Sequence, residues 1–506
     1  MRIGFLNPQG NFDPGDSYWT EHPDFGGQLV YVKSVALAMA EAGLEEAGHQ
    51  VDILTRRIVD DAWPEFSDPF DAYRGGPNVR IVRLLAGPDA FLRKELLWPH
   101  LVRDWVPAIL DHYDDEDAGL PDAFTAHYGD GGLCGALIED ETGVPFAFTG
   151  HSLGAQKMDK LDVDRENLKE MDDHFHFARR IIAERLSMNR SAVNITSTQQ
   201  ERYEQYGHRA YVGAVDVQDD RRFEVIPPGV NLTIFGVDAL AMNEAEVRED
   251  VKESLTRDID SGRRDLPAIV ASSRLDHKKN HLGLVQAFAG DVKLQEAANL
   301  VFITGGLEDP LRDDSEAGPG EREVLEEVRE VVDRAHLWGK ISAFGLQGQP
   351  ALAAAYRFFR ERKSVFALTA HYEPFGLAPL EAAAAGLPVV VTQNGGPSES
   401  LQDSERAYGV LVDPSDPEAI ARGLRRLLDD PTVWEAFARR GRQRVLDRYT
   451  WSRTAQGYLT VIGEVVADPE SRRPADLLSI HPYFRDPTPA NDVGLEELRR
   501  LYLPSE

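Results

Sequence analysis

Two acids, a glycine and two prolines lie within one short stretch, Glu373-Pro374-Phe375-Gly376-Leu377-Ala378-Pro379-Leu380-Glu381. The stretch follows Val365–Leu368, an apolar run of strand character. Pro379 suits the first turn of a helix over Ala378–Ala385, where its missing N–H would lack a partner anyway. The backbone N–H groups of Phe375, Gly376 and Leu377 then stand at the positive end of that helix, an arrangement that binds phosphate. Glu381 is expected about two turns inside, at a depth suited to ribose hydroxyls. Glu373, ahead of the helix, could accept hydrogen bonds from sugar hydroxyls. Two solvated glutamates on a plain strand–loop–helix connection are the bland alternative, which the order of residues disfavours.

A second cluster, Arg274-Leu275-Asp276-His277-Lys278-Lys279-Asn280, directly follows the run Ala268–Ala271. Doubly wound sheets place ligands at the carboxyl ends of their strands. There Arg274 and Lys279 could neutralise a diphosphate and stabilise its departure. By itself, a surface charge run would read the same way. Asn394-Gly395-Gly396-Pro397 follows another apolar run and is expected to bring backbone N–H groups to the same phosphates.

The first half carries Pro23-Asp24-Phe25-Gly26-Gly27-Gln28 ahead of a helical pattern, Leu29–Ala42. This is a glycine loop feeding a helix N-terminus, without the Gly-x-Gly-x-x-Gly spacing of a dinucleotide site. Gly150-His151-Ser152-Leu153-Gly154 follows Phe146–Phe148 and matches the Gly-x-Ser-x-Gly of a hydrolase elbow. A simple hydrolase, however, has no need of the phosphate site in the second half.

The elements that must position these residues are short, continuous apolar runs: Ile3–Leu6, Val51–Leu54, Val79–Leu84, Phe146–Phe148, Asn194–Thr196, Ala268–Ala271, Leu300–Ile303, Val365–Leu368 and Val389–Val391. Such runs suit parallel strands covered on both faces, and helical patterns lie between them. The alternation predicts an α/β chain with two Rossmann-like, doubly wound domains facing a cleft. The series pauses at Val225–Ile226, and Pro227-Pro228-Gly229 reads as a hinge. The expected parts are residues 1–228, residues 229–455, and a last segment, 456–506, with a helix around Tyr458–Val466 that recrosses to the first domain. From about Asp468 the chain is Pro-rich and charged, ending in an amphipathic run, Leu495–Leu503, and reads as a tail on the surface or a cap for a partner.

The 85 acidic and 55 basic side chains give a net charge of −30. That surface repels nucleic acid and anionic lipid, and any anion site must be made positive locally. Only 11 of the basic residues are Lys, and a surface so acidic suits a salty medium. The single cysteine, Cys134, excludes an internal disulfide. No signal peptide or membrane-length apolar run is read, so a cytoplasmic protein is expected. No His/Cys cluster has metal spacing, and none of the Asp-x-Asp type lies beside the phosphate motifs, so no metal is expected.

Together the motifs resemble the GT-B retaining glycosyltransferases and, within them, the sucrose-phosphate synthases. The likeness is carried by NPQGNFDPGDSYWTEHPDFGGQLVYVK, HYGDGG, TGHSLGAQKM, RRIIAER, IPPGVN, SSRLDHKKN, YEPFGLAPLEAAAAGLPVVVTQNGGP and YGVLVDP. It implies transfer of glucose from UDP-glucose to fructose 6-phosphate. Arg274 and Lys279 would bind the donor diphosphate and Glu381 the ribose. Glu373 and the Phe375, Gly376 and Leu377 backbone would hold the hexose, and His151 would contact the sugar near the reacting centre. Gly27 would stand at the donor phosphates, with Gly26 and Gln28 facing the acceptor. Lys94, Tyr128, Ser152, Lys157, Arg179 and Arg180 would grip a phosphorylated acceptor. The resemblance implies no obligatory cofactor, magnesium being at most stimulatory, and a separate sucrose-phosphate phosphatase as functional partner. Three alternatives remain at this point: a sucrose synthase acting on free fructose, a mannosylfructose-phosphate synthase using GDP-mannose, and a noncatalytic binder of sugar nucleotides.

Overall fold

The computed structural model describes residues 1–9, 11–15, 27–42, 49–73, 76, 78–116 and 119–504. The chain forms two compact units, Met1–Pro227 with Thr454–Glu506, and Pro228–Arg453. The eight strands of the first unit are β1 (Arg2–Leu6), β2 (Gln50–Arg56), β3 (Phe70–Ala72), β4 (Val79–Leu84), β5 (Ala123–His127), β6 (Phe146–Thr149), β7 (Val193–Thr196) and β8 (Phe223–Val225). They lie in the order β3-β4-β2-β1-β5-β6-β7-β8. Only β3, on the edge, runs antiparallel to its neighbour. The six strands of the second unit are β9 (Ala268–Ser272), β10 (Asn299–Thr304), β11 (Ile341–Gly345), β12 (Val365–Leu368), β13 (Val389–Thr392) and β14 (Val410–Val412), in the order β11-β10-β9-β12-β13-β14. All six are parallel.

All nine apolar runs of the sequence are strands, and apart from β4, where Arg80 and Leu84 are half-buried, they are buried on both faces as helix-covered parallel strands must be. The unexpected strands include β5, β11 and β14. β5 reads Ala-Phe-Thr-Ala-His, and its Thr125 and His127 interrupt the apolar run although all five residues are buried. Each sheet reverses its strand order once, between β1 and β5 and between β9 and β12. Crevices for ligands form at such reversals, beyond the strands' carboxyl ends. The helix Tyr128–Thr142 packs close behind the first reversal. Gly131 permits this, since a Cβ there would stand 2.4 Å from the Leu6 carbonyl oxygen.

The chain returns to the first unit in the helix Trp451–Ala467. Beyond that helix the C-terminal segment, read from the sequence as a surface tail or a cap for a partner, is docked into the core of the first unit. Tyr483, Phe484, Leu498, Tyr502 and Leu503 are all buried in the core of the first unit. Asn189 donates to the Asp476 carbonyl and accepts from the Leu478 N–H. Tyr502 donates to Asp159 at 2.8 Å. The helix Leu495–Tyr502 thus has its apolar stripe covered within the chain. Among the described residues no helix is long and apolar enough to cross a membrane.

Candidate functional site

In the second unit the loops after β9 and β12 are tied together by Asn280. This residue has φ +55° and caps the helix His281–Gly290 by accepting from the Gly283 N–H. Its amide donates to the carbonyls of Thr369 and Pro414. Lys279 is thereby brought to Glu373, with Nζ 2.8 Å from Oε2. Their side chains are 25% and 13% exposed, so the pair is shielded yet reachable. Arg274 is exposed and makes no ion pair with any described residue. The helix of the glutamate motif spans Leu377–Ala384, with Gly376 at its N-cap (φ +91°). Glu381 therefore lies about one turn inside, not two. Burial pushes its carboxyl up to about 7.

In the Asn394-Gly395-Gly396 turn, one of the amides expected at the phosphates is committed elsewhere. Gly396 donates its N–H to the Glu373 carbonyl, so that amide is not available to a phosphate. A Cβ on Gly395, at φ +97°, would lie 2.1 Å from the Glu373 carbonyl oxygen. The glycines thus clamp the Glu373 loop from behind.

In the first unit, His127 at the end of β5 and His151 after β6 are hydrogen-bonded, Nδ1 to Nε2, at 2.8 Å. Burial depresses both rings, His127 well below its usual range and His151 to about 3. Both are therefore neutral near pH 7, as the single N–H shared between them requires. Tyr31 meets His151 edge-on with ring centroids 4.9 Å apart, and its hydroxyl joins Tyr458 of the returning helix at 3.0 Å. Tyr128 and His151 hold φ of +64° and +55°. Such backbone costs a non-glycine residue roughly 1–3 kcal/mol; it persists where the surroundings impose it and clusters at functional sites. Among the described residues no imidazole is hydrogen-bonded to the Ser152 hydroxyl, and there the hydrolase elbow is not assembled.

Lys94, Tyr128 and Arg180 line one pocket with Gln9, Trp98, Asp130 and Phe175. Lys94 and Arg180 both stand 6.0 Å from the Tyr128 ring centroid. Arg180 is anchored by Glu184 at 2.8 Å and by the Ser152 carbonyl. Lys157 borders the same region, 3.9 Å above the Phe175 ring and 3.7 Å from Glu95. Asp130 is buried, accepts from Gln9, and is raised to about 6 by burial. Arg179 departs from its expected role. It forms a two-point ion pair with Asp492 at 2.8 and 2.7 Å and stacks on Tyr483, both in the C-terminal segment. Successive helical residues point about 100° apart, so only one of the two arginines reaches the pocket. Gln28 donates to Asn7 at 2.8 Å, and Gly27 is exposed at the start of the helix Gly27–Ala42. Gly26 lies outside the described residues. Sequence reasoning missed His127, Tyr31, Gln9 and Asp130, although His127 and Asp130 stand inside the HYGDGG segment.

Residues 2–253 match the family model of the sucrose synthase first GT-B domain, and residues 257–444 that of glycosyl transferases group 1. The solved sucrose-phosphate synthase of Thermosynechococcus elongatus shares the fold, with a TM-score of 0.63 at 23% identity over 92% of this chain and 99% of that one. Anabaena Alr3699/HepE in complex with UDP and glucose does so at TM-score 0.54 and 16% identity, covering 92% of this chain and all of its own, 100%. Two doubly wound units with these loops define a GT-B glycosyltransferase. A probable sucrose-phosphate synthase of Thermosipho melanesiensis is 41% identical over 463 residues, 91% of this chain and 96% of that protein. The sucrose-phosphate synthase of Zea mays is 33% identical over 494 residues, 86% of this chain and 45% of that one. The chain belongs to the sucrose-phosphate synthase family and is a glycosyltransferase of that type. It spans about half the length of the plant relatives.

Proposed function

We propose that this enzyme transfers glucose from UDP-glucose to fructose 6-phosphate with retention at the anomeric carbon, giving sucrose 6-phosphate and UDP. The observation that carries the acceptor is the pocket in which Lys94 and Arg180 converge beside Tyr128 on a protein of net charge −30. Unphosphorylated fructose has no use for two cations there, which disfavours the sucrose-synthase reading. The donor is assigned to the second unit: Arg274, Lys279 and the Phe375–Leu377 backbone on the diphosphate, Glu381 on the ribose and Glu373 on the hexose. Gly27 is assigned to the phosphates, and Gln28 and Ser152 to the acceptor beside Lys157.

In the transfer, the bond from the anomeric carbon to the phosphate oxygen breaks and a bond to the acceptor oxygen forms on the same face. The acceptor proton passes to the departing phosphate. Arg274, Lys279 and the helix N-terminus stabilise the charge that develops there. His151, neutral, serves as a hydrogen-bonding partner for the sugar and not as a cation. The residues supply this chemistry without an obligatory metal.

The test is purified enzyme with UDP-glucose, ADP-glucose and GDP-mannose against fructose and fructose 6-phosphate, with the product anomer read by NMR. UDP-glucose with fructose 6-phosphate is expected to dominate. Equal use of fructose would return the sucrose-synthase reading, preference for GDP-mannose the mannosylfructose-phosphate reading, and no transfer at all the noncatalytic one.

A further inference from the structure

His151 is held by a second histidine, the first residue of the HYGDGG segment. His127 is fully buried at the end of β5, its ring stacked on Phe5 with centroids 5.5 Å apart and planes 7° apart. Its Nδ1 lies 2.8 Å from His151 Nε2 and its Nε2 lies 3.3 Å from Thr125 Oγ1. Phe5 and the Tyr31 edge, 6.0 Å from the His127 ring, leave that ring one plane. A neutral imidazole has one donor and one acceptor nitrogen. Whichever way the proton lies in the Thr125–His127–His151 chain, the state of His151 Nε2 fixes that of its other nitrogen, Nδ1. Without the chain, His151 would exchange between tautomers and turn about its side-chain bonds, on a backbone already held at φ +55°.

We infer that His127 is a positioning residue for sugar transfer: through its Nδ1 it holds the plane of His151 and ties that ring's tautomer to its own, so that His151 meets the sugar with its hydrogen-bonding atom fixed in place. A hydrogen bond to the far nitrogen orients reactive imidazoles elsewhere in protein chemistry. The inference rests on the reading that His151 contacts the transferred sugar, and the experiment separates the two.

Three variants are compared. In His127→Asn the side-chain amide falls near the position of Nδ1 and keeps the bond to His151. In His127→Gln it falls near Nε2 and keeps only the bond to Thr125. His151→Ala removes the ring that is being positioned. Turnover should fall roughly 5- to 30-fold in His127→Gln, as for loss of a hydrogen bond beside the reacting group. It should stay within about threefold of the parent in His127→Asn, with the acceptor KM little changed in both. Nitrogen NMR of the His151 ring should show one tautomer in the parent and His127→Asn, and a mixture in His127→Gln. Added to His151→Ala, His127→Gln should cause no further loss. Equal losses from Asn and Gln, an unchanged His151 tautomer in the Gln variant, or a full additional loss in the His151→Ala background would overturn the inference. If His151→Ala itself retained full turnover, the fault would lie in the assignment of His151.

Discussion

Lys279 and Glu373 hold each other at 2.8 Å in a site assigned to the donor, so a diphosphate that binds Lys279 competes with the carboxylate for the same positive charge. A charged hydrogen bond from Lys279 to the diphosphate is worth about 1.5–3 kcal/mol. Lys279→Ala should therefore weaken UDP binding roughly 10- to 150-fold and reduce turnover on UDP-glucose at least as much. Glu373→Gln should do the opposite to UDP. The pair is partly shielded, with side chains 25% and 13% exposed, so releasing Lys279 returns about 1 kcal/mol and should tighten UDP roughly fivefold. Transfer should nevertheless fall, because the carboxylate that accepts from the hexose hydroxyls is gone. Calorimetric titration with UDP gives the affinities, and a coupled assay of UDP release gives the turnover. Equal weakening of UDP in both variants would refute the competition, and so would undiminished transfer by Glu373→Gln.

Lys94→Ala should raise the fructose 6-phosphate KM by roughly tenfold or more while leaving the donor KM near its parent value, measured by steady-state kinetics with each substrate varied. Arg180→Ala is a poorer probe, because it strands Glu184 as a buried unpaired charge. Thermal unfolding should reveal a loss of about 3–5 kcal/mol there and little in Lys94→Ala. Glu381 has its carboxyl raised from 4.5 to about 7 by burial, so unfolding releases its proton and stability falls as pH rises between those values, then levels off. Glu381→Gln should flatten that slope and gain up to about 3 kcal/mol at pH 8 in denaturant titrations, and an unchanged slope would count against a desolvated carboxylate. With a net charge of −30 the melting temperature should climb as KCl is raised towards molar levels, and a flat response would dismiss salt adaptation. Truncation after residue 467 should strip Tyr483, Phe484 and Tyr502 from the core and abolish cooperative unfolding of the first unit, whereas a dispensable tail would leave the melt intact.

The sequence by itself determined the α/β class, nine of the strands and the placing of a chemical motif just past four of them. These are local properties: short buried apolar runs, Pro379 in a first helical turn, and cations just past a strand. It also carried the family likeness, since HYGDGG and the Glu373–Glu381 stretch are contiguous. Tertiary structure decided what depends on partners far along the chain. Arg179 and Arg180 are indistinguishable as neighbours, yet one meets Asp492, 313 residues away, and the other turns to Glu184 and the pocket. The run Leu495–Leu503 was legible as amphipathic, but nothing local said that its apolar face would lie on the first unit's own core. β5 escaped notice because Thr125 and His127 look polar, and they are polar for a reason that only the fold supplies. A threonine and two histidines, brought together by parallel strand pairing, form one hydrogen-bonded chain ending at His151. Periodicity records which side a residue faces, while hydrogen-bond partnership across a sheet is set by register between strands, which no single stretch of sequence contains.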